Sequence, residues 1–239
     1  MRNHRPIGFL TILVALSGTA SGQPLPTEAA RNRRIERLQA TTAASPKDVG
    51  SWHELADALR EAERWDEAID AESRAIAVHP KYAVAYYGRG RAKMEKRDYP
   101  AARADFTFAV GLWESRGGLE RFVTEEIPKA EHVDSYRNRG VAFAHENRFK
   151  EAVADLAIAV RLRKDDPRLL FERGHLEEKA GLKADAVADF SRAGLIYADG
   201  HAEKPARDCA ERLRKLDAGA AAEAIEKRLK PKARGNELP

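Results

Sequence analysis

Of the residue types able to do chemistry, arginine and aspartate are the ones this chain spaces regularly. Arg89 and Asp105, Arg139 and Asp155, and Arg173 and Asp189 each stand sixteen residues apart, and a fourth stretch of the same pattern has Leu55 and Ala71 in the two positions. Positions that switch together from apolar to oppositely charged are expected to touch, here across the two helices of one hairpin. Arg89, Asp105, Arg139, Asp155, Arg173 and Asp189 are therefore read as structural ion pairs, not as ligand-binding groups. Constellations that enzymes need are missing. His145-Glu146-Asn147-Arg148-Phe149 begins like a metalloprotease helix but has Phe149 where the second zinc-binding histidine belongs. Gly88 and Gly90 fall inside a helical stretch with no strand before them, so they cradle no phosphate. No serine sits in a nucleophile elbow. Cys209 is the only cysteine, which rules out a thiolate metal site and a disulfide within the chain. It shares an apolar helical stripe with Ala206, Ala210, Leu213 and Leu216, the setting of a buried, inert thiol. No catalysis, cofactor or metal is expected.

The elements that must position the charged pairs are legible as a repeat. From Tyr136 to Pro167, Tyr136, Gly140 and Phe143 share one face of a first helix. Phe149, Ala152, Leu156, Ala159 and Val160 share one face of a second, and Glu146-Asn147-Arg148 is the polar turn between them. Thirty-four residues on, Leu170, Gly174, Ala186 and Ala193 take the places of Tyr136, Gly140, Ala152 and Ala159. Upstream, Trp52, Ala56, Ala68, Ala75 and Pro80 return thirty-four residues later as Tyr86, Gly90, Ala102, Ala109 and Glu114. A hairpin of this size cannot bury its apolar stripes alone, so the units must stack.

The motif W/Y-x2-L/R-G/A followed by A, F/Y, A and P at fixed offsets resembles the tetratricopeptide repeat, over roughly Val49 to Ala198. The chain departs from it at Glu72, usually aromatic, and at Glu114 and Ala198, usually proline. The resemblance implies an all-α, right-handed α-solenoid of antiparallel helix pairs with about four repeats, at 49–82, 83–114, 133–166 and 167–199, and an insertion at 115–132. It further implies a concave groove lined by the first helix of each repeat, at Gly50, His53, Asp57 and Arg60; Val84, Tyr87, Arg91 and Met94; Asp134, Arg137, Val141 and Ala144; and Arg168, Phe171, His175 and Glu178. Of these, His53, Asp57, Tyr87, Arg91, Met94, Arg137, Val141, Arg168, Phe171 and His175 are the candidate contacts with a protein or peptide. Tyr87 and Phe171 are suited to apolar anchors, and Arg91, Arg137 and Arg168 to carboxylates. Chaperone-binding members clamp a terminal carboxylate with lysine and asparagine. His53, Asp57 and Arg91 stand where that pattern wants a base and two asparagines, so that activity is not carried over.

The ends carry different signals. Basic Met1 to Arg5 followed by apolar Ile7 to Leu16, with small residues at Gly18, Ala20 and Gly22, reads as a secretory signal peptide over 1–22, the alternative being an uncleaved anchor. Residues 23–48 are a linker and an N-terminal capping helix from Glu28 to about Thr42, with Thr27 as N-cap and Ile35 and Leu38 inward. Around Ser115 to Val133, Gly117-Gly118 breaks a helix, Pro128 ends a short one, and Phe122, Val123 and Ile127 are apolar enough to dock. Residues 200–230 read as a degenerate capping pair and 231–239 as a disordered basic tail. The net charge is +4, and about +2 once Arg2 and Arg5 leave with the signal, too small a surplus to point to nucleic acid. The reading is an exported, periplasmic or secreted, monomeric scaffold that binds a protein or peptide and mediates complex assembly, without stable membrane insertion after signal cleavage. Alternatives are an envelope subunit that binds glycan or a membrane-associated enzyme, and a self-associating solenoid.

Overall fold

The computed structural model describes residues 27–115 and 130–229. The expected signal peptide, the apolar residues Phe122, Val123 and Ile127 of the insertion, and the basic tail lie outside the described residues. Within them the chain forms eleven helices and no strand: α1 Glu28–Ala44, α2 Val49–Glu61, α3 Trp65–Val78, α4 Ala83–Glu95, α5 Tyr99–Glu114, α6 Ala130–His145, α7 Phe149–Leu162, α8 Pro167–Lys179, α9 Lys183–Asp199, α10 Glu203–Lys215 and α11 Gly219–Leu229. Helix α1 packs on α2. The pairs α2–α3, α4–α5, α6–α7, α8–α9 and α10–α11 then stack in chain order. Among the described residues α6 spans Ala130–His145, so residues 130–132 are helical together with the third repeat.

Each hairpin turns in the same way. Glu63, Arg97, Asn147, Gly181 and Asp217 follow the first helices of the five pairs with φ of 59°, 61°, 60°, 78° and 59°. The next residue's N–H then reaches back five positions, from Arg64 to the Leu59 carbonyl at 2.9 Å, from Arg148 to Phe143 at 2.9 Å and from Ala218 to Leu213 at 2.8 Å. This is the left-handed cap that satisfies the last carbonyls of a helix. Only Gly181 adopts that φ without cost to a Cβ. Four N-termini are closed by a side chain: Thr27 accepts from the Ala30 N–H at 3.3 Å, Asp48 from Gly50 at 3.1 Å, Asp98 from Ala101 at 3.3 Å and Asp166 from Arg168 at 3.0 Å.

Within a pair, a small residue on the first helix receives a large one from the second. Gly90 faces Phe106, Gly140 faces Leu156 and Gly174 faces Phe190, while Ala68, Ala102, Ala152 and Ala186 are fully buried. A Cβ on Gly140 would lie 2.6 Å from Leu156 Cδ1 and 3.1 Å from the Ala152 carbonyl. Gly140→Ala should therefore lower stability by about 2 kcal/mol. Gly111, on the outer face of α5, has nothing within 4 Å of such a Cβ. Gly111→Ala should raise stability by about 0.5–1 kcal/mol, because alanine loses less backbone entropy in a helix. Thermal unfolding of both variants checks the pair, and shifts of the same sign would remove close approach as the role of Gly140.

The charged pairs sit at the edge of this packing. Arg89 donates from Nε and Nη2 to Asp105 at 2.9 and 2.7 Å, Arg139 to Asp155 at 2.8 and 2.7 Å, and Arg173 to Asp189 at 2.6 and 2.8 Å. All three aspartates are buried. The last pair packs α10 and α11 on α9, burying Cys209 together with Ala206, Ala210, Leu213 and Ile225. Burial pushes the Cys209 thiol up to about 12.

Candidate functional site

The first helices α2, α4, α6 and α8 carry every candidate groove residue. Their side chains divide into those the fold consumes and those it leaves for a ligand. Arg137 on α6 is consumed: Nε and Nη2 donate to Glu172 of the next unit at 2.6 and 2.5 Å, a bidentate bond. Arg168 lies 3.4 Å from Asp166, its neighbour at the helix start, and keeps 73% of its side chain exposed. Tyr87 is buried with its ring 6.1 Å from Phe106, so it works as a floor and not as a free anchor. Phe171 is half-buried, edge-on to Phe190 at 5.4 Å. Met94 and Val141 are half-buried, and Met94 packs against the Tyr87–Phe106 cluster. His175 faces Glu178 at 3.8 Å, and Glu178 in turn meets Arg212 of α10 at 3.4 Å. Burial and the Arg212 charge hold the His175 imidazole below the ordinary histidine value.

Arg91 differs from the other groove arginines. It is exposed, makes no ion pair among the described residues, and lies over the Tyr87 ring at 5.7 Å. Across from it, Asp134 is partly buried, and burial raises its carboxyl against the pull of Arg163, Arg137 and Arg91.

At the other end of the row, α2 and α3 form a compact polar cluster. Glu72 of α3 is fully buried. Its Oε1 lies 3.0 Å from His53 Nδ1 and accepts from Arg60 Nη1 at 3.1 Å. Arg60 Nη2 also donates to Asp57, and His53 Nε2 lies 3.6 Å from Asp57 Oδ2. The Tyr82 ring closes the His53 side edge-on at 5.9 Å. Burial drives the Glu72 carboxyl up, opposed by His53 and Arg60. Burial disfavours the His53 imidazolium, yet the bond to and charge of Glu72 prevail and lift its pKa above the ordinary value.

The repeat pattern puts His53 and Asp57 on this face and marks Glu72 only as a departure from it. The signal was there, since Phe106, Leu156 and Phe190 hold the equivalent places of the other units. What the spacing does not carry is that Gly88 of the next unit makes room for it: a Cβ on Gly88 would stand 1.9 Å from Glu72 Oε1. The partnership of Arg137 with Glu172 also crosses between units and leaves no mark on the spacing within either.

The sequence pattern of the tetratricopeptide repeat matches residues 35–83, 53–114, 87–167 and 146–196. No curated protein matches the chain by sequence. Among solved structures, MamA is similar with TM-score 0.58 and 19% identity, over 69% of this chain and 87% of its own. YrrB, a tetratricopeptide repeat protein with an unusual peptide-binding site, gives 0.54 and 19% over 81% and 99%. PilW, a type IV pilus biogenesis factor, gives 0.60 and 16% over 87% and 89%. At these identities the likeness is one of fold, and all three share the stacked helix pairs. Since the family's pattern spans residues 35–196 in successive overlapping matches, the chain belongs to the tetratricopeptide repeat family.

Proposed function

We propose that this chain is an exported scaffold that holds an extended segment of another protein against the row of first helices and contributes no chemistry of its own. The observation that carries the proposal is Arg91, an exposed guanidinium over an aromatic floor in a row whose other charges have partners among the described residues. A carboxylate on the bound segment would satisfy it with charge-assisted hydrogen bonds. Half-buried Met94, Val141 and Phe171 provide apolar contact along the same row. The unusual peptide-binding site of YrrB and the part of PilW in type IV pilus biogenesis are in keeping with this use of the fold. Export rests on the basic and apolar segments of residues 1–22. Among the described residues, no helix is long and apolar enough to cross a membrane.

The test is capture from an envelope extract of the source organism with the parent chain and with Arg91→Glu/Arg168→Glu. Both side chains are exposed, so the variant should keep its helicity. A partner held by the parent and depleted at least about tenfold on the variant supports the proposal, tenfold being about 1.4 kcal/mol of binding. Equal retention by both removes Arg91 and this face from recognition.

A further inference from the structure

We propose that His53, Asp57 and Glu72 form a binding site for a divalent transition-metal ion of the zinc type, in which the Arg60 guanidinium is the resident cation that the metal displaces. The inference does not depend on the groove reading above.

Glu72 occupies a place where the fold does not need a carboxylate. The same position in the other units holds Phe106, Leu156 and Phe190, all fully buried, and Glu72 is just as buried. Gly88, on the neighbouring unit, leaves the space that its carboxylate fills. A buried carboxylate at a position where the other units bury an apolar side chain is the kind of local departure that marks a site.

The donor set suits the ion. One atom each from His53, Asp57 and Glu72 lies within 4.8 Å of the other two. Imidazole and two carboxylates are ligands for zinc and its first-row neighbours, and three protein ligands leave a fourth position for water. Ligand atoms around one such ion sit about 3–3.5 Å apart, given metal–ligand bonds of about 2 Å, so the cluster must contract by a little over an ångström. Side-chain rotation covers that. The His53 ring now turns Nδ1 to Glu72 and Nε2 to Asp57, and a modest turn aims one nitrogen between the two carboxylates. Asp57 keeps 37% of its side chain exposed, which gives an ion a way in from the groove.

Arg60 supplies the argument for a cation between these carboxylates. It bridges Glu72 and Asp57 with Nη1 and Nη2, whereas its Nε is buried without a hydrogen-bond partner. A divalent ion would neutralise both carboxylates, and the long arginine side chain would swing toward the groove, where water satisfies all five donors. Bound metal would tie α2 to α3 and, through Glu72 against Gly88, brace the first unit against the second.

The experiment is a titration of the purified, tag-free full chain with zinc(II) by calorimetry, and with cobalt(II) to read its visible bands. The parent should bind one ion and gain melting temperature, with magnesium(II) giving neither effect. His53→Ala should weaken binding about 10–100-fold and abolish the cobalt bands, and Arg60→Met should tighten binding about tenfold by removing the competing cation. Three results would overturn the site: no saturable binding by either parent or Arg60→Met up to about 1 mM metal, a zinc affinity of His53→Ala equal to the parent's, or an Arg60→Met that binds no better. If Arg60→Met loses its helical circular dichroism, the cobalt spectra of parent and His53→Ala decide the question alone.

Discussion

Arg139→Leu should lower the stability of the chain by about 3 kcal/mol, and adding Asp155→Ala should return most of that loss. Asp155 is 7% exposed and accepts both of its close hydrogen bonds from Arg139. Burial alone would raise its carboxyl, and the Arg139 guanidinium opposes that rise. The single variant leaves the carboxylate buried without its counter-charge. The double variant reproduces what the first unit already has, since Leu55 and Ala71 hold the equivalent positions and are both buried. Urea unfolding at pH 7 gives the comparison. Equal stability of single and double variants would mean a solvated pair worth about 0–1 kcal/mol, and the structural role of all three pairs would fall with it.

The second large effect depends on pH. In the fourth unit, Glu177 stands four residues beyond Arg173, where the second unit has Lys93 bound to Asp105 at 2.7 Å. Glu177 instead shares Arg173 with Asp189, and its Oε2 is buried without a partner. Burial, with the negative charge of Asp189 added, pushes its carboxyl up to about 7 against the pull of Arg173. Between the unfolded value of 4.5 and about 7 the folded chain holds a proton that the unfolded chain has lost. Stability therefore falls as pH rises through that window, and the full penalty is present above it. The displacement of the carboxyl, reduced because Glu177 lies at the edge of the packing, amounts to about 2 kcal/mol. Glu177→Gln should be more stable than the parent by about that amount at pH 8 and nearly equal to it at pH 4.5. Taking the difference between the two chains cancels the histidines that titrate in the same range. A constant difference across the window would show that Glu177 is ionised throughout.

Much of the architecture is readable before any coordinates because the determinants lie within one hairpin. Gly140 and Leu156, or Arg139 and Asp155, are each sixteen residues apart, and a thirty-four-residue period repeats both spacings. Contacts between hairpins are less legible. Arg137 meets Glu172, and Gly88 admits Glu72, through the angle at which one unit sits on the next, which the period does not encode. Tyr87 marks a different limit, inside one hairpin. Its position in the repeat places it on the groove face, yet the neighbouring Phe106 draws its ring into the core.

Cys209 turns the C-terminal pair into a clock. Its thiol lies beneath α10, against Gly194 of α9, with no exposed surface. Alkylation can proceed only while α10 is detached from α9, so the rate of labelling counts those openings. In a chain of nearest-neighbour units the ends fray before the middle. Labelling much faster than the loss of total helicity would report fraying from this end, whereas matching rates would mean that the stack opens as one body. A single native thiol thus records how cooperativity is distributed along the solenoid, with no probe added.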